Sequence, residues 1–290
     1  MPPIPPNPDG TAVLPRRDPR DGWTDPAQDR SFPRTRAFGY PRFPAKLSQR
    51  SVTSPAPFAG TPLETVPDVA VLCYTQFLSQ PLAMVLADHP ESRPSAVFPG
   101  LHFLGSGLAL VENTTLLGAP MATVQLERLI QLGVRSFIVL GIAGSLQPQV
   151  EIGHVVVGDR AVRDEGTSHH YLPPSDYAWP SPALTRQVVE HLRAGAVPVQ
   201  VGGTWTTDAI FRETPLEVRE LAREGILTVE MEAAALFSVA RFRGVDLAAV
   251  FVVSDLVHQE DWERGQTGDR LARSLTRVLG RLASFPGLRS

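Results

Sequence analysis

Residues 136–147 read SFIVLGIAGSLQ, an apolar run that passes directly into two glycines three residues apart, Gly141 and Gly144. Four consecutive apolar residues, from Phe137 to Leu140, are typical of a strand buried on both faces. Glycines after such a strand let the backbone approach a ligand closely, although a plain strand-to-loop turn explains them equally well. Short apolar segments alternate with amphipathic segments on both sides of this stretch. That alternation predicts a mainly parallel sheet covered by helices.

The apolar segments and the helical periodicity give a set of predicted elements. The strands are predicted at Val69–Tyr74, Gly107–Glu112, Ser136–Gly141, His154–Val157, Pro198–Trp205 and Leu247–Val253. Helices are predicted at 121–132, from Thr214 onward, at 232–242 and at 269–282, where apolar residues recur every three or four positions. Thr214, Pro215 and Glu217 have the spacing of a capping box with proline in the first turn.

Composition separates an N-terminal arm from a folded domain. Residues 1–60 hold 13 of the 28 prolines, and nine Lys or Arg against five Asp. Such a segment buries too little apolar surface to fold alone, so it is predicted to be a Pro/Arg-rich irregular or disordered arm. Residues 61–290 are predicted to form a single domain.

The net charge and the lengths of the apolar runs argue against several classes of partner. A net charge of −3 over 290 residues argues against nucleic-acid binding, and no apolar run is long enough to span a membrane. One cysteine and the lack of a signal-peptide pattern predict a cytoplasmic protein. The adjacent His169 and His170 lack the spacing of a zinc motif, so no metal site is predicted.

Two further segments place carboxylates beside apolar runs. In VEMEAAA, residues 229–235, Glu230 and Glu232 stand at a helix start, where solvated charges are common. Small apolar residues follow Glu232, so its carboxylate is expected at the edge of the core, where vicinal ribose hydroxyls would satisfy both oxygens. In VFVVSD, residues 250–255, Asp255 follows a buried strand. That position suits a catalytic acid and a helix N-cap equally well.

Taken in chain order, several motifs resemble the nucleoside phosphorylase superfamily, which includes uridine phosphorylases, hexameric purine nucleoside phosphorylases and methylthioadenosine nucleosidases. The resemblance runs from about Val69 to Leu282. RDEGTSHHYLPP, residues 163–174, looks closest to the uridine phosphorylase branch, whereas VSD, 253–255, resembles the purine branch and the nucleosidases. The other motifs are TLLGAP (115–120), GIAGSLQP (141–148), TWTTDAIFRETP (204–215) and VEMEAAALF (229–237).

The resemblance implies a fold and a set of site residues. It implies one α/β domain with a mixed, partly barrel-like central sheet flanked by helices, assembled as a homo-oligomer, either a dimer or a trimer of dimers. Glu232 would accept the ribose hydroxyls, Met231 would pack on the sugar, Glu230 would lie close to the base, and Asp255 would be the general acid for the leaving base. The base pocket would be lined by Thr206, Thr207, Asp208, Ile210, Phe211 and Arg212, and the strand-end loop with its anion site by Gly141, Ala143, Gly144 and Arg163.

The phosphate site is where the sequence departs from the family. The GDP-x-R start of the phosphorylases is absent from VLCYTQFL (71–78), the family arginine falls on Val139, and the family hydroxyl falls on Ile142. Arg163, Arg212, or Arg42 or Arg50 of a neighbouring subunit would have to supply charge for inorganic phosphate, the one co-substrate expected besides a nucleoside.

Three functions therefore stay open. A nucleoside phosphorylase that yields free base and ribose 1-phosphate is the first, acting on a uridine or purine nucleoside. A phosphate-independent nucleosidase is the second, although the extra N-terminal glutamate of those hydrolases has no equivalent here. A catalytically silent nucleoside-binding protein is the third.

Overall fold

The computed structural model describes residues 44–59, 63, 65–105, 107–112, 117–258, 262–265 and 268–286. Within these residues the strands are β1 Val69–Tyr74, β2 Arg93–Pro94, β3 Leu101–Leu104, β4 Leu108–Glu112, β5 Ser136–Ser145, β6 Val155–Asp164, β7 Tyr177–Ala178, β8 Val199–Thr207, β9 Ile226–Glu230, β10 Asp246–Leu256 and β11 Glu263–Arg264. The helices are α1 Ala56–Ala59, α2 Ser79–Asp88, α3 Ala119–Gln131, α4 Pro182–Ala194, α5 Pro215–Arg223, α6 Ala233–Arg243 and α7 Asp269–Leu282.

All described strands belong to one mixed sheet, ordered β11-β10-β6-β8-β9-β5-β1-β4-β3-β2, with β7 paired to β6. Strand β5 also pairs with β10, which closes β5, β10, β6, β8 and β9 into a five-stranded barrel. The expected mixed, partly barrel-like sheet flanked by helices is confirmed. The predicted mainly parallel character is also found, because the longest pairings, β5 with β10 and β6 with β8, are parallel, whereas β6 runs antiparallel to β10 and β9 antiparallel to β5 only over short stretches.

The described residues form one compact unit. The predicted arm lies largely outside the described residues, since its positions 1–43 and 60 are among those not described. Its described part, residues 44–59, contains a 3-10 turn at Pro44–Ser48 and the short helix α1. The predicted boundary at residue 60 stays a prediction.

Local sequence explains several of the observed ends. Strand β1 and helix α7 begin and end where the sequence predicts. Helix α5 has the predicted capping box, with the Thr214 amide donating to Glu217 Oε2 at 2.9 Å and the Glu217 amide donating to Thr214 Oγ1 at 3.4 Å. Helix α6 ends at Gly244 in the left-handed conformation, φ 66°, which glycine adopts without steric cost.

Two apolar layers hold the sheet between helices. Side chains from α3 and α6 pack on one face, and side chains from α2, α4 and α7 pack on the other. Cys73 is buried in the second layer, and burial raises the pKa of its thiol to about 12, so the thiol stays protonated and inert. Within the part of the chain that the structure describes, no helix combines the length and the apolar character needed to cross a membrane.

Candidate active site

Two rows of paired strand residues bring the sequence-predicted site residues together at the barrel. In the first row, Gly144 of β5 pairs with Val229 of β9 on one side and with Asp255 of β10 on the other. In the second row, Thr206 of β8 pairs with Arg163 of β6 and with Glu230 of β9. Because Val229 and Glu230 are consecutive, the two rows are adjacent. Barrel closure therefore assembles residues that lie more than 100 positions apart in the chain.

Glu230 fixes the start of helix α6. Its Oε2 accepts hydrogen bonds from the backbone amides of Glu232 and Ala233, both at 2.7 Å, and its Oε1 accepts the Thr206 hydroxyl at 2.5 Å. Thr206 Oγ1 in turn accepts the Ala234 amide at 2.9 Å. Three free amides of the first helical turn are thus satisfied by two buried side chains. Both oxygens of Glu230 are engaged within the protein, and Thr206 is fully buried, so neither presents a free polar group to a ligand.

Glu232 occupies the N-cap position of α6, with its side chain turned away from the helix amides. It is 9% exposed, and its Oε1 accepts the backbone amide of Gly118, at the start of α3, at 2.7 Å. Burial raises the pKa of Glu232 to about 7, against the opposing effect of the Gly118 hydrogen bond. Burial also raises the pKa of Glu230, and the charge of Glu232 raises it further. Glu232 is therefore a buried carboxylate at the edge of the core, as its sequence context predicts, and its neighbour Met231 is half-buried.

Asp255 lies within β10 and is 8% exposed. Its Oδ1 accepts the hydroxyl of Ser254, and its Oδ2 accepts the indole N–H of Trp262 at 2.7 Å. Asp255 pairs with Arg264 of β11 rather than preceding a helix, which excludes the N-cap alternative. The described residues form no ion pair with Asp255 or with Glu232.

Gly144 makes room for Asp255. A Cβ atom at this position would lie 3.1 Å from Asp255 Oδ2 and 3.1 Å from Val229 Cγ1, closer than side-chain atoms normally approach. Gly141 is different, because its nearest neighbour would be the Tyr74 carbonyl at 3.6 Å, an ordinary contact. The second glycine of the motif is thus explained by packing against the carboxylate.

Arg163 organises the loop that follows β6. Its five N–H donors all have partners: Nε donates to Ser168 Oγ, Nη1 to Pro173 O and Ser175 Oγ, and Nη2 to Leu172 O and His169 Nδ1, at 2.7–3.4 Å. In this arrangement the guanidinium has no donor left for an anion. The expected phosphate-binding role of Arg163 is therefore not supported by the geometry, and the side chain acts on the loop instead.

The segment after β8 supplies an exposed rim. Asp208 Oδ2 accepts the Gly166 amide at 2.9 Å, which ties this segment to the loop after β6, and Thr207 Oγ1 accepts the Ala209 amide at 3.3 Å. The next residues form a 3-10 turn, Ile210–Arg212, whose Phe211 is 81% exposed. All three of these side chains face solvent, and they are separate from the buried cluster around Glu230.

One carboxyl near Asp255, that of Glu213, is not among the site residues predicted from the sequence. Burial raises the pKa of Glu213 to about 7, and the charges of Asp255 and then Glu217 raise it further. Glu213 stands directly before the capping box, at the end of TWTTDAIFRETP, where nothing in the spacing distinguishes it from an ordinary loop residue. Trp262 is likewise not indicated by the sequence, and Gly118 belongs to the TLLGAP motif but has no role predicted for it.

At the two positions where the family has donors to phosphate, this chain has apolar residues that pack in the protein. Val139 is fully buried, and half-buried Ile142 packs against the layer of α2, α4 and α7. Gly141 and Ala143 lie on the same stretch of β5 and add no charged donor. Of the arm arginines, Arg50 is exposed and Arg42 lies outside the described residues. Lys46, also in the arm, contacts the loop after β6 through His170 Nδ1 at 2.7 Å.

Comparisons with known proteins give the same fold and a family. The chain is 31% identical over 147 residues to guanosine phosphorylase of Halorubrum lacusprofundi, covering 51% of this chain and 61% of that protein. It is 28% identical over 171 residues to uridine phosphorylase of Salmonella typhimurium, covering 54% of this chain and 67% of that protein. The matches thus span about two thirds or less of those relatives.

A solved structure supports the architecture. The crystal structure of uridine phosphorylase from Vibrio fischeri superimposes with a TM-score of 0.62 at 23% identity, covering 75% of this chain and 90% of that one. Residues 68–284 match the family model described as Phosphorylase superfamily, which is most of the chain. By its sequence and its closed five-stranded barrel, the chain belongs to the phosphorylase superfamily.

Proposed function

We propose that this protein is a nucleoside phosphorylase that cleaves the bond between sugar and base with inorganic phosphate. The observation that carries the proposal is the pair of buried carboxylates without an ion-pair partner, Asp255 on β10 and Glu232 at the N-cap of α6, two residues after β9, whose Val229 pairs with Gly144 as Asp255 does. Buried carboxylates without cations need hydrogen-bond donors, and a nucleoside offers them at both its sugar and its base. The names of the relatives support this choice.

The proposed mechanism divides the work between the two carboxylates. Glu232 accepts the ribose 2′- and 3′-hydroxyls and so fixes the sugar, with Met231 packed beneath it. A phosphate oxygen attacks C1′, the bond from C1′ to the base nitrogen breaks, and the electron pair leaves with the base. Asp255 contacts the base and stabilises it as it departs. Phe211 and Ile210, on the exposed rim, close over the base plane.

A second function is favoured by one specific observation. Val139 and Ile142 replace the family's donors to phosphate, and the donors of Arg163 are consumed by the loop after β6. Water would then attack C1′ in place of phosphate and give free ribose, which is the reaction of a nucleosidase.

One assay separates the possibilities. Uridine, inosine, guanosine, adenosine and methylthioadenosine are each incubated with the protein in phosphate-free buffer and with added phosphate, and the base and the sugar product are separated by chromatography. Base release that requires phosphate and gives ribose 1-phosphate supports the phosphorylase, whereas free ribose without phosphate supports the nucleosidase. The Glu232→Gln and Asp255→Asn variants must lower the activity, and no turnover by the unmodified protein would leave only a nucleoside-binding role.

We also propose that the protein acts as a cytoplasmic homo-oligomer. Met121 and Val124 on α3, and Leu117 just before it, are exposed apolar side chains that a second copy would cover. Light scattering coupled to size-exclusion chromatography tests this, and a monomer at micromolar concentration would contradict it.

A further inference from the structure

A short strap crosses the end of β10 at Asp255. Strand β11, Glu263–Arg264, pairs antiparallel with Leu256 and Asp255, and the Gly265 amide donates to Ser254 O at 2.9 Å. Trp262 stands directly before β11, and the guanidinium of Arg264 lies 5.4 Å from the centre of its ring. The backbone pairing therefore places the indole beside the Asp255 carboxylate. Among the described residues, the strap pairs with β10 and lies against Ile152, and none of its hydrogen bonds reaches the Glu230 cluster.

The two hydrogen bonds to Asp255 restrict where a proton can reside. Trp262 donates to Oδ2 at 2.7 Å, and an indole N–H has no lone pair with which to accept. While this bond exists, Oδ2 cannot carry a proton toward the indole. Oδ1 faces the hydroxyl of Ser254, which is 1% exposed. Each carboxylate oxygen thus has a neutral hydrogen-bond donor beside it, and the remaining lone pairs are left to accept a hydrogen bond from a ligand.

We propose that Trp262 is a positioning residue that holds Asp255 as an acceptor for a ring N–H of the base, so that the substrates are nucleosides whose base carries a lactam N–H. Uracil, hypoxanthine and guanine each present such an N–H beside a carbonyl group. This inference rests on the proposed function and assigns Asp255 a role different from protonation of a purine N7. Burial and the charge of Asp255 raise the pKa of Glu213 to about 7, so Glu213 is a further carboxyl of the site that titrates near neutrality.

The test compares Trp262→Phe, which removes the indole N–H and keeps an aromatic ring, with Trp179→Phe. Trp179 is 48% exposed and Trp262 49%, so the control removes an equally exposed indole outside the site. Each protein is assayed with uridine and 3-methyluridine, and with inosine and 1-methylinosine, in which the methyl group replaces the ring N–H. We expect Trp262→Phe to lower kcat/KM for the parent nucleosides about tenfold, the size expected for one hydrogen bond to a charged group. Trp179→Phe should stay within twofold of the unmodified protein.

The decisive quantity is the preference for parent over methylated nucleoside. If Trp262 orients the acceptor, this preference shrinks in Trp262→Phe and stays unchanged in Trp179→Phe, because the two groups act on the same carboxylate. A loss of activity that is equal for parent and methylated nucleosides would show a merely structural tryptophan and overturn the proposal.

A second measurement does not depend on turnover. The indole N–H of Trp262, assigned by its absence from the spectrum of Trp262→Phe, should exchange slowly with solvent in a ¹⁵N NMR experiment and lose that protection in Asp255→Ala. Unchanged exchange in Asp255→Ala would overturn the contact itself. Protection without any nucleoside cleavage would instead show that the contact is real and that the proposed function is wrong.

Discussion

Comparing the variant Glu232→Gln with Glu230→Gln distinguishes a carboxylate that binds the ligand from one that stabilises the fold. The two carboxyls are two residues apart and both are buried, yet Glu230 accepts three hydrogen bonds from the start of α6 and from Thr206, whereas Glu232 accepts one, from Gly118. A glutamine at 232 retains a carbonyl oxygen for the Gly118 amide. A glutamine at 230 must turn its NH₂ group toward at least one donor.

The expected magnitudes follow from those contacts. A hydrogen bond to a charged acceptor contributes about 1.5–3 kcal/mol and one to a neutral acceptor about 0.5–1.5 kcal/mol. Neutralising Glu232 weakens two bonds to ribose hydroxyls, for a loss of about 2 kcal/mol or roughly 30-fold in kcat/KM. Glu230→Gln loses at least one charged bond and leaves a buried donor unpaired, so its free energy of unfolding should fall by about 2–4 kcal/mol.

The pH dependence of the free energy of unfolding tests whether Glu232 is buried as a carboxylate. Burial raises the pKa of Glu232 to about 7 in the folded protein, above its ordinary value of 4.5, so the folded state holds this proton more tightly than the unfolded state. The stability that Glu232 contributes is full below pH 4.5 and is lost as the pH rises through 7. Glu232→Gln should therefore gain in Tm relative to the unmodified protein between pH 5.5 and 8.5.

Steady-state kinetics with the best nucleoside and calorimetric unfolding of both variants measure these effects. Because sugar binding needs the ionised carboxylate, kcat/KM of the unmodified protein should rise with pH near 7. A Glu232→Gln protein that keeps kcat/KM within threefold of the unmodified protein would refute the assignment. So would a Glu230→Gln protein with unchanged Tm.

Three other substitutions test separate parts of the structure. Gly144→Ala places a methyl group 3.1 Å from Asp255 Oδ2 and should lower kcat about tenfold at a cost of about 1–3 kcal/mol, whereas Gly141→Ala should be mild; equal kinetics for the two would contradict this. Arg163→Lys should lower the free energy of unfolding by about 2–4 kcal/mol without raising KM for phosphate, and a raised KM with unchanged stability would restore an anion role for Arg163. Thr214→Ala should cost about 0.5–2 kcal/mol in thermal unfolding, and no loss of Tm would show that the capping box is dispensable.

The elements that sequence predicts well are those with a strong local pattern. Helix α7 has its apolar residues on one stripe, and β1 is apolar at every position, so their ends can be read directly. Strand β9 was missed because Thr228 and Glu230 interrupt its apolar pattern, although both are buried. Helix α2 is not predicted because Pro81 lies within it, whereas α4 is not predicted although Pro182 stands at its first position, where proline suits a helix.

The site shows the same division between local and long-range information. Glu232 and Asp255 are indicated by their position beside apolar runs and by resemblance to a family. The contact of Trp262 with Asp255 depends on two paired residues at the end of β10, and the engagement of Arg163 depends on five partners in a folded loop. Neither set of contacts can be predicted from the periodicity of the sequence, because each depends on backbone pairing or on the folded conformation of a loop.

Because the thiol of Cys73 is unreactive, the protein is well suited to site-specific fluorescent labelling. It is the only cysteine in the sequence, it lies in the core, and its pKa of about 12 keeps it from reacting with maleimides at neutral pH. A cysteine introduced by Phe211→Cys, at the exposed rim, would therefore be the single reactive thiol without removal of the native cysteine. An environment-sensitive dye at that position would report, in real time, whether the rim closes when a nucleoside enters.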